Sequence, residues 1–178
     1  AAISCINFQK KRHTDCKRRK GDKCMNVTLK EKEKTAVKDL QTQEKSCMEK
    51  YRRYEQEAKD PVLKDLFHQL HLKEKKHYDS LDQLLSGNCP ECDCNDADGK
   101  NYNPKATYTS MSSPEDKESD CFLATDAIGT EKLVSGEYNT NVFVFAEPCV
   151  RKLLADIQIE EQNHAEMLFK YKMANAMA

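Results

Sequence analysis

Residues 70–80 read LHLKEKKHYDS, and residues 157–167, which lie 87 positions later, read IQIEEQNHAEM. Each stretch places a glutamate three residues before a histidine, as Glu74 before His77 and Glu161 before His164. Because residues i and i+3 lie on one face of a helix, the two side chains of each pair point the same way. Apolar residues recur around both pairs at helical spacing, which predicts that both stretches are helices.

The offset of 87 residues relates more of the chain than these two stretches. The positions that it matches with identical residue types include Glu44, Tyr51, Pro61, Leu66, Glu74, His77 and Leu81, which fall on Glu131, Tyr138, Pro148, Leu153, Glu161, His164 and Leu168. The first half is typical of a helical hairpin, with a capping box from Thr28 and a helix start at Pro61. The repeat therefore predicts a second hairpin, although the run VFVF at 142–145 favours a strand locally.

Two helical hairpins predict an all-α fold, namely a ferritin-like four-helix bundle with an irregular arm and a long crossover linker. The expected parts are a basic, cysteine-containing arm (1–27), the first hairpin (28–85), an acidic, cysteine-rich crossover linker (86–129) and the second hairpin (130–178). A linker of about 45 residues is long enough to run the full length of such a bundle.

The repeated positions place carboxylates and imidazoles on the inward faces of the helices. A buried carboxylate without a partner costs several kcal/mol, so four of them in one bundle need a cation. One Glu from each of two helices, with Glu-x-x-His from each of the other two, is the ligand set of di-metal carboxylate proteins. We predict two divalent ions, Fe or Mn first and Zn as an option, bound by Glu44, Glu74, His77, Glu131, Glu161 and His164. The alternative is that these are surface glutamates and capped histidines.

Five further residues near the predicted ligands carry separate expectations. Tyr51 and Tyr138 each follow a predicted glutamate ligand by seven residues, and we favour core packing over a redox or ligand-supporting role. His71 either supports the site or lies at its boundary. Glu137 is a rival to Glu131 as the ligand from its helix. Cys47, three residues after Glu44, is expected to be a buried core thiol.

Charge and cysteines are concentrated outside the predicted helices. Residues 1–27 carry eight Lys/Arg against two Asp, whereas residues 86–129 carry nine acidic residues against three Lys. These opposite charges suggest that the arm docks on a linker, in the same chain or in a neighbouring copy. Seven cysteines of these segments are predicted to form disulfide cross-links: Cys5, Cys16, Cys24, Cys89, Cys92, Cys94 and Cys121. A four-thiolate metal site at Cys89, Cys92, Cys94 and Cys121 is the alternative.

Head-to-tail contacts through the arm would build filaments or lattices, so the expected partner is another copy of the chain. A net charge of −1 argues against a general nucleic-acid binder. The alternative is a basic solvated arm with affinity for nucleic acid and only intramolecular disulfides. No apolar run of about 18 residues is present, which excludes a membrane-spanning helix, and no signal peptide is expected.

Three stretches of the second half resemble the spore coat protein F family of spore-forming Firmicutes, which are ferritin-like helical proteins of the endospore coat. They are TEKLVSGEYNT (130–140), AEP (146–148) and IQIEEQNHAEM (157–167). The resemblance extends over 28–85 and 126–174. The Glu…Glu-x-x-His arrangement of each half also resembles rubrerythrin-type di-iron bundles, which implies the same six ligands. A rubredoxin domain would need two Cys-x-x-Cys knuckles, and only Cys89-Pro-Glu-Cys92 is present.

Two functions follow from these patterns. The first is a self-assembling, disulfide-linked structural component of the spore coat or of a spore-surface appendage, in oxidising surroundings outside the cell. The second is a di-iron or di-manganese peroxidase or oxidase that protects against oxidants. We favour the structural role over an enzyme. Cysteines outside the bundle add little to a soluble enzyme, whereas cross-links contribute about 2–4 kcal/mol each to an assembly.

Overall fold

The computed structural model describes residues 25–91 and 97–177. Within them the helices are α1 (Glu31–Glu57), α2 (Pro61–Leu85), α3 (Asp98–Asn101), α4 (Pro114–Asn141) and α5 (Pro148–Ala174), with a 3₁₀ turn at Val142–Val144. Two short strands, β1 (Met25–Asn26) and β2 (Asn88–Cys89), form one antiparallel pair. The described chain is therefore all-α in class. Five of the cysteines predicted to form cross-links lie outside the described residues, namely Cys5, Cys16, Cys24, Cys92 and Cys94.

The helix starts follow local hydrogen-bonding rules. Asp60 caps α2 by accepting a hydrogen bond from the backbone N–H of Val62 (2.9 Å), with Pro61 in the first turn. α1 begins at Glu31 with Lys30 as its N-cap, two residues after the expected N-cap Thr28, because Val27 and Leu29 pack into the core as an extended segment. Glu33 closes this start by accepting from the N–H of Lys30 (2.8 Å).

α4 begins at Pro114, sixteen residues before the predicted start of the second hairpin at residue 130. Residues 114–129 were expected to be irregular because they lack an apolar stripe. The side of α4 that faces the core there carries small or charged residues, such as Ala124 and Asp120, whereas Phe122 is exposed. The start is nonetheless encoded locally, since the hydroxyl of Ser113 accepts from the N–H of Asp116 (3.2 Å).

The residues with strand-forming propensity after α4 are not a strand. Val142–Val144 continue α4 as a 3₁₀ turn, and Phe145 then inserts its ring into the core. Arg151 of α5 donates to the backbone oxygen of Phe145 (3.1 Å), which holds the turn against the next helix. Tertiary packing thus overrides the local β propensity of these residues.

The four long helices form a bundle in which α1 packs mainly on α2 and α4 mainly on α5. Contacts between α1 and α4 and between α2 and α5 join the two pairs around one core. β1 and β2 tie the entry of α1 to the exit of α2. The turn between α2 and β2 uses Gly87 at φ +88°, where a Cβ would lie 3.3 Å from the carbonyl oxygen of Val27.

The connection from α2 to α4 crosses the bundle lengthwise. α3 lies on α5, where Asn163 accepts from the N–H of Gly99 (3.0 Å). At the far end the buried Asp120 accepts from the N–H groups of Lys59 and Asp60 and from the hydroxyl of Tyr108. These bonds hold the start of α4 against the start of α2.

Across residues 25–91 and 97–177, no helix combines the length and the apolar character needed to cross a lipid bilayer.

Candidate metal centre

The structure brings the six predicted ligand residues together in the middle of the bundle. All of them are buried, with at most 3% of each exposed. They form two overlapping groups, Glu44 with Glu74, His77 and Glu161, and Glu74 with Glu131, Glu161 and His164. In each group the candidate ligand atoms lie within 4.8 Å of one another. Glu74 and Glu161 belong to both groups and therefore lie between the other four residues.

Most of the unsatisfied buried polar atoms of the described residues lie in this cluster. Among the described residues, nine buried side-chain N or O atoms have no hydrogen-bond partner. Eight of these atoms belong to the six candidate ligand residues. The eight atoms are both oxygens of Glu74 and Glu161, Oε2 of Glu44 and Glu131, and Nδ1 of His77 and His164. Buried polar groups are nearly always satisfied. Such a concentration of acceptor atoms fits cations that these atoms would share.

The distances between these atoms also suit metal ligands. His77 Nδ1 lies 3.0 Å from Glu161 Oε1 and 3.6 Å from Glu44 Oε2. His164 Nδ1 lies 3.0 Å from Glu74 Oε1 and 3.6 Å from Glu131 Oε2. Two ligand atoms that are each about 2.1 Å from a metal are about 3.0 Å apart at a right angle and about 3.4 Å apart at a tetrahedral angle. The Nδ1 atoms of the two imidazoles thus have equivalent carboxylate neighbours in the two halves.

Two tyrosines hold Glu44 and Glu131, the outer glutamates of the cluster, by reciprocal hydrogen bonds between α1 and α4. Tyr51 of α1 donates its hydroxyl to Glu131 Oε1, and Tyr138 of α4 donates to Glu44 Oε1. Both rings are fully buried, and that of Tyr51 stacks on Phe67. The rings therefore pack in the core and their hydroxyls also orient the carboxylates. Each glutamate keeps its Oε2 available for a metal.

The electrostatics of the cluster oppose four ionised carboxylates. Burial raises the pKa of Glu44 to about 8 and the pKa of Glu161 well above its ordinary value, with the charge of Glu74 adding to both. Burial also raises the pKa of Glu74, but the two neighbouring imidazoles outweigh burial and the net direction is downward. Added positive charge would favour the ionised forms of Glu44 and Glu161.

Burial likewise raises the pKa of Tyr51 and of Tyr138 well above the ordinary value, and the neighbouring carboxylates add to the rise. Both phenols therefore keep their protons and serve as hydrogen-bond donors to the glutamates.

The structure also separates ligand candidates from neighbours. Glu137, the rival to Glu131, is exposed. His71 lies outside both groups, and its Nδ1 contacts the backbone oxygen of Met48 at 2.9 Å, which links α2 to α1. Sequence reasoning missed Glu160, whose Oε2 contacts His77 Nε2. Nothing in the sequence distinguishes Glu160 from the other glutamates of α5, because this contact joins two helices.

The described cysteines do not assemble into a site. No two of the four lie at disulfide distance. Cys47 is buried, as expected, and burial raises the pKa of its thiol, which keeps it protonated. Cys89 follows the end of α2, whereas Cys121 neighbours Asp120 at the start of α2. Because α2 spans about 37 Å, a four-thiolate site that includes both Cys89 and Cys121 does not form.

The fold and the cluster define a helical bundle with buried acidic and imidazole side chains that could bind metal. Residues 119–177 match the family model of the Coat F domain, which covers most of α4 and all of α5. This match supports the resemblance of that part of the chain to the spore coat protein F family. It thereby also supports a structural role in the spore coat. Searches of curated proteins and of solved structures found no match.

Proposed function

We propose that this protein is a structural component of the spore coat, built as a ferritin-like bundle that is closed around two divalent metal ions. The Coat F match over residues 119–177 supports the location and the structural role. The observation that carries the metal centre is the set of eight buried ligand atoms that have no hydrogen-bond partner.

The ligand atoms divide naturally between two metal positions. We call the first the His77 position, with Glu44 Oε2 and His77 Nδ1, and the second the His164 position, with Glu131 Oε2 and His164 Nδ1. Glu74 and Glu161, which belong to both groups, would help to hold both ions, because both oxygens of each carboxylate are unpartnered. Carboxylates with one imidazole per metal suit Fe or Mn, and Zn is accommodated.

Such a centre would stabilise the bundle by cross-linking its helices. Each of the four long helices contributes at least one ligand, so metal binding would favour the folded bundle over the unfolded chain. A metal present at 1,000 times its dissociation constant adds about 4 kcal/mol to the free energy of unfolding. For a coat protein, that stabilisation would add to any covalent cross-links.

Elemental analysis of the purified full chain, followed by a peroxide-consumption assay, tests this proposal. Two equivalents of metal without turnover support the structural role. Two equivalents of metal with turnover of peroxide contradict the structural role and support a metal-dependent peroxidase or oxidase. Absence of bound metal after incubation with Fe, Mn and Zn salts contradicts the metal centre.

We also propose that the cysteines outside the bundle link copies of the chain. The net charges of +6 in residues 1–27 and −6 in residues 86–129 favour contact between an arm and a linker. Cysteines in both segments would make that contact covalent in oxidising surroundings. Native material should migrate as a ladder without reductant and as a monomer with it. A monomer band under both conditions would contradict the cross-linking.

The second candidate function is a metal-dependent peroxidase or oxidase. It is favoured by a cavity of about 330 Å³ whose lining includes Leu70 and Met167, each about one turn from a candidate ligand. Two redox-active metals, when bound, would pass electrons from an external reductant to peroxide or oxygen. Tyr51 and Tyr138 would hold Glu131 and Glu44 in place.

A further inference from the structure

The two halves of the site differ at one contact. His77 Nε2 contacts the carboxylate of Glu160, which is mostly buried on α5. The offset of 87 residues places Lys73 at the position that corresponds to Glu160, and the amine of Lys73 pairs with Asp98 of α3. Among the described residues, all carboxylate contacts of His164 are made through Nδ1, so its Nε2 faces no carboxylate.

We infer that the two metal positions bind with unequal affinity and that Glu160 is the positioning residue that makes the His77 position the tighter one. This inference rests on the proposed di-metal centre. A carboxylate that accepts the Nε2–H of an imidazole leaves the lone pair on Nδ1, holds the ring in place and makes Nδ1 a stronger ligand. The loss of such a partner typically lowers metal affinity about 10- to 100-fold.

Lys73 does not supply the same support to His164. An ammonium group has no acceptor for an imidazole N–H, and its positive charge disfavours a metal nearby. The amine of Lys73 is also engaged by Asp98, which joins α2 to the crossover connection. The His164 position therefore has the same ligand types as the His77 position without the carboxylate behind the imidazole.

Titration of the metal-free full chain with Co²⁺, followed by visible absorption, tests the inference. We expect the wild-type chain to bind two equivalents in two separate steps. Glu160→Ala should weaken the tighter step about 10- to 100-fold, so that the two steps merge, and leave the other step unchanged. Glu160→Gln keeps a neutral acceptor oxygen and should retain part of the affinity. Glu166→Gln, an exposed residue of the same helix that pairs with Lys170, is the matched control and should titrate like the wild type.

A second measurement reads the imidazole itself. In the Zn²⁺-loaded chain, long-range ¹H–¹⁵N spectra of ¹⁵N-histidine should show His77 with its proton on Nε2, and the resonance of that proton should shift in Glu160→Ala. A purely structural role for Glu160 would leave the His77 proton unshifted once the metal is bound.

The outcomes distinguish a failure of the proposed metal centre from a failure of the role assigned to Glu160. If the wild-type chain binds no Co²⁺, the metal centre itself fails. If two equivalents bind but Glu160→Ala titrates like the wild type, only the role of Glu160 is overturned. Should Glu160→Ala lose its helical circular dichroism, Glu160→Gln decides: a weakened first step supports the inference, and an unchanged titration overturns it.

Discussion

The substitution Tyr51→Phe isolates the hydrogen bond that orients Glu131. It removes one hydroxyl and keeps the buried ring, including its stacking on Phe67. Hydrogen bonds to charged groups contribute about 1.5–3 kcal/mol, and Glu131 is 1% exposed, so water cannot replace the lost donor. We therefore expect the free energy of unfolding to fall by about 1.5–3 kcal/mol. For a chain of this size, that lowers the melting temperature by about 3–12 °C.

Urea unfolding followed by circular dichroism at 222 nm measures this loss, with the metal-free and the Zn²⁺-loaded protein compared. The matched control is Tyr54→Phe, because the Tyr54 hydroxyl also donates to a carboxylate, that of Asp126, at 2.6 Å. Asp126 is 40% exposed, so water can take the place of the hydroxyl and the expected loss is below about 1 kcal/mol. Equal losses in the two variants would refute the reasoning, since it depends on the burial of Glu131.

Three further substitutions test other parts of the structure. Glu131→Gln should reduce bound metal from two equivalents to one by elemental analysis, whereas the exposed Glu137→Gln should keep two, and the reverse result would reassign the ligand. Asp120→Ala removes the acceptor of two backbone N–H groups and one hydroxyl, and should lower the free energy of unfolding by about 3 kcal/mol in a urea titration. Gly87→Ala should cost about 1–2 kcal/mol in the same assay because of the φ of +88°, and no loss would show that the turn relaxes.

The clustering of the six candidate ligands was predictable from the sequence because it depends on short-range geometry. A Glu-x-x-His pair lies on one helix face wherever the helix lies, and the offset of 87 residues identified Glu44 and Glu131 as the remaining pair. The first half of α4 was not predictable by periodicity, since a stripe of small and charged residues such as Ala124 and Asp120 carries no apolar signal.

The partners of the tyrosine hydroxyls could not be derived from spacing alone. Tyr51 lies two turns after Glu44 on α1, yet its hydroxyl reaches Glu131 on α4. The contact between Glu160 and His77 likewise joins residues 83 positions apart. Such contacts depend on how the helices are placed relative to one another, which the pattern within one helix does not encode.

The reciprocal bonds from Tyr51 to Glu131 and from Tyr138 to Glu44 have a consequence for symmetry. Each half of the chain orients the outer glutamate of the other half, as two subunits would across a twofold axis. Two identical hairpins could form the same reciprocal bonds, but both would then carry the same residue at the position of Glu160 and Lys73. Because the halves are joined in one polypeptide, the same repeat position can be Lys73 in the first half and Glu160 in the second. The single chain thus keeps the reciprocal bonds of a symmetric dimer and gains the freedom to make the two halves of the proposed metal centre different.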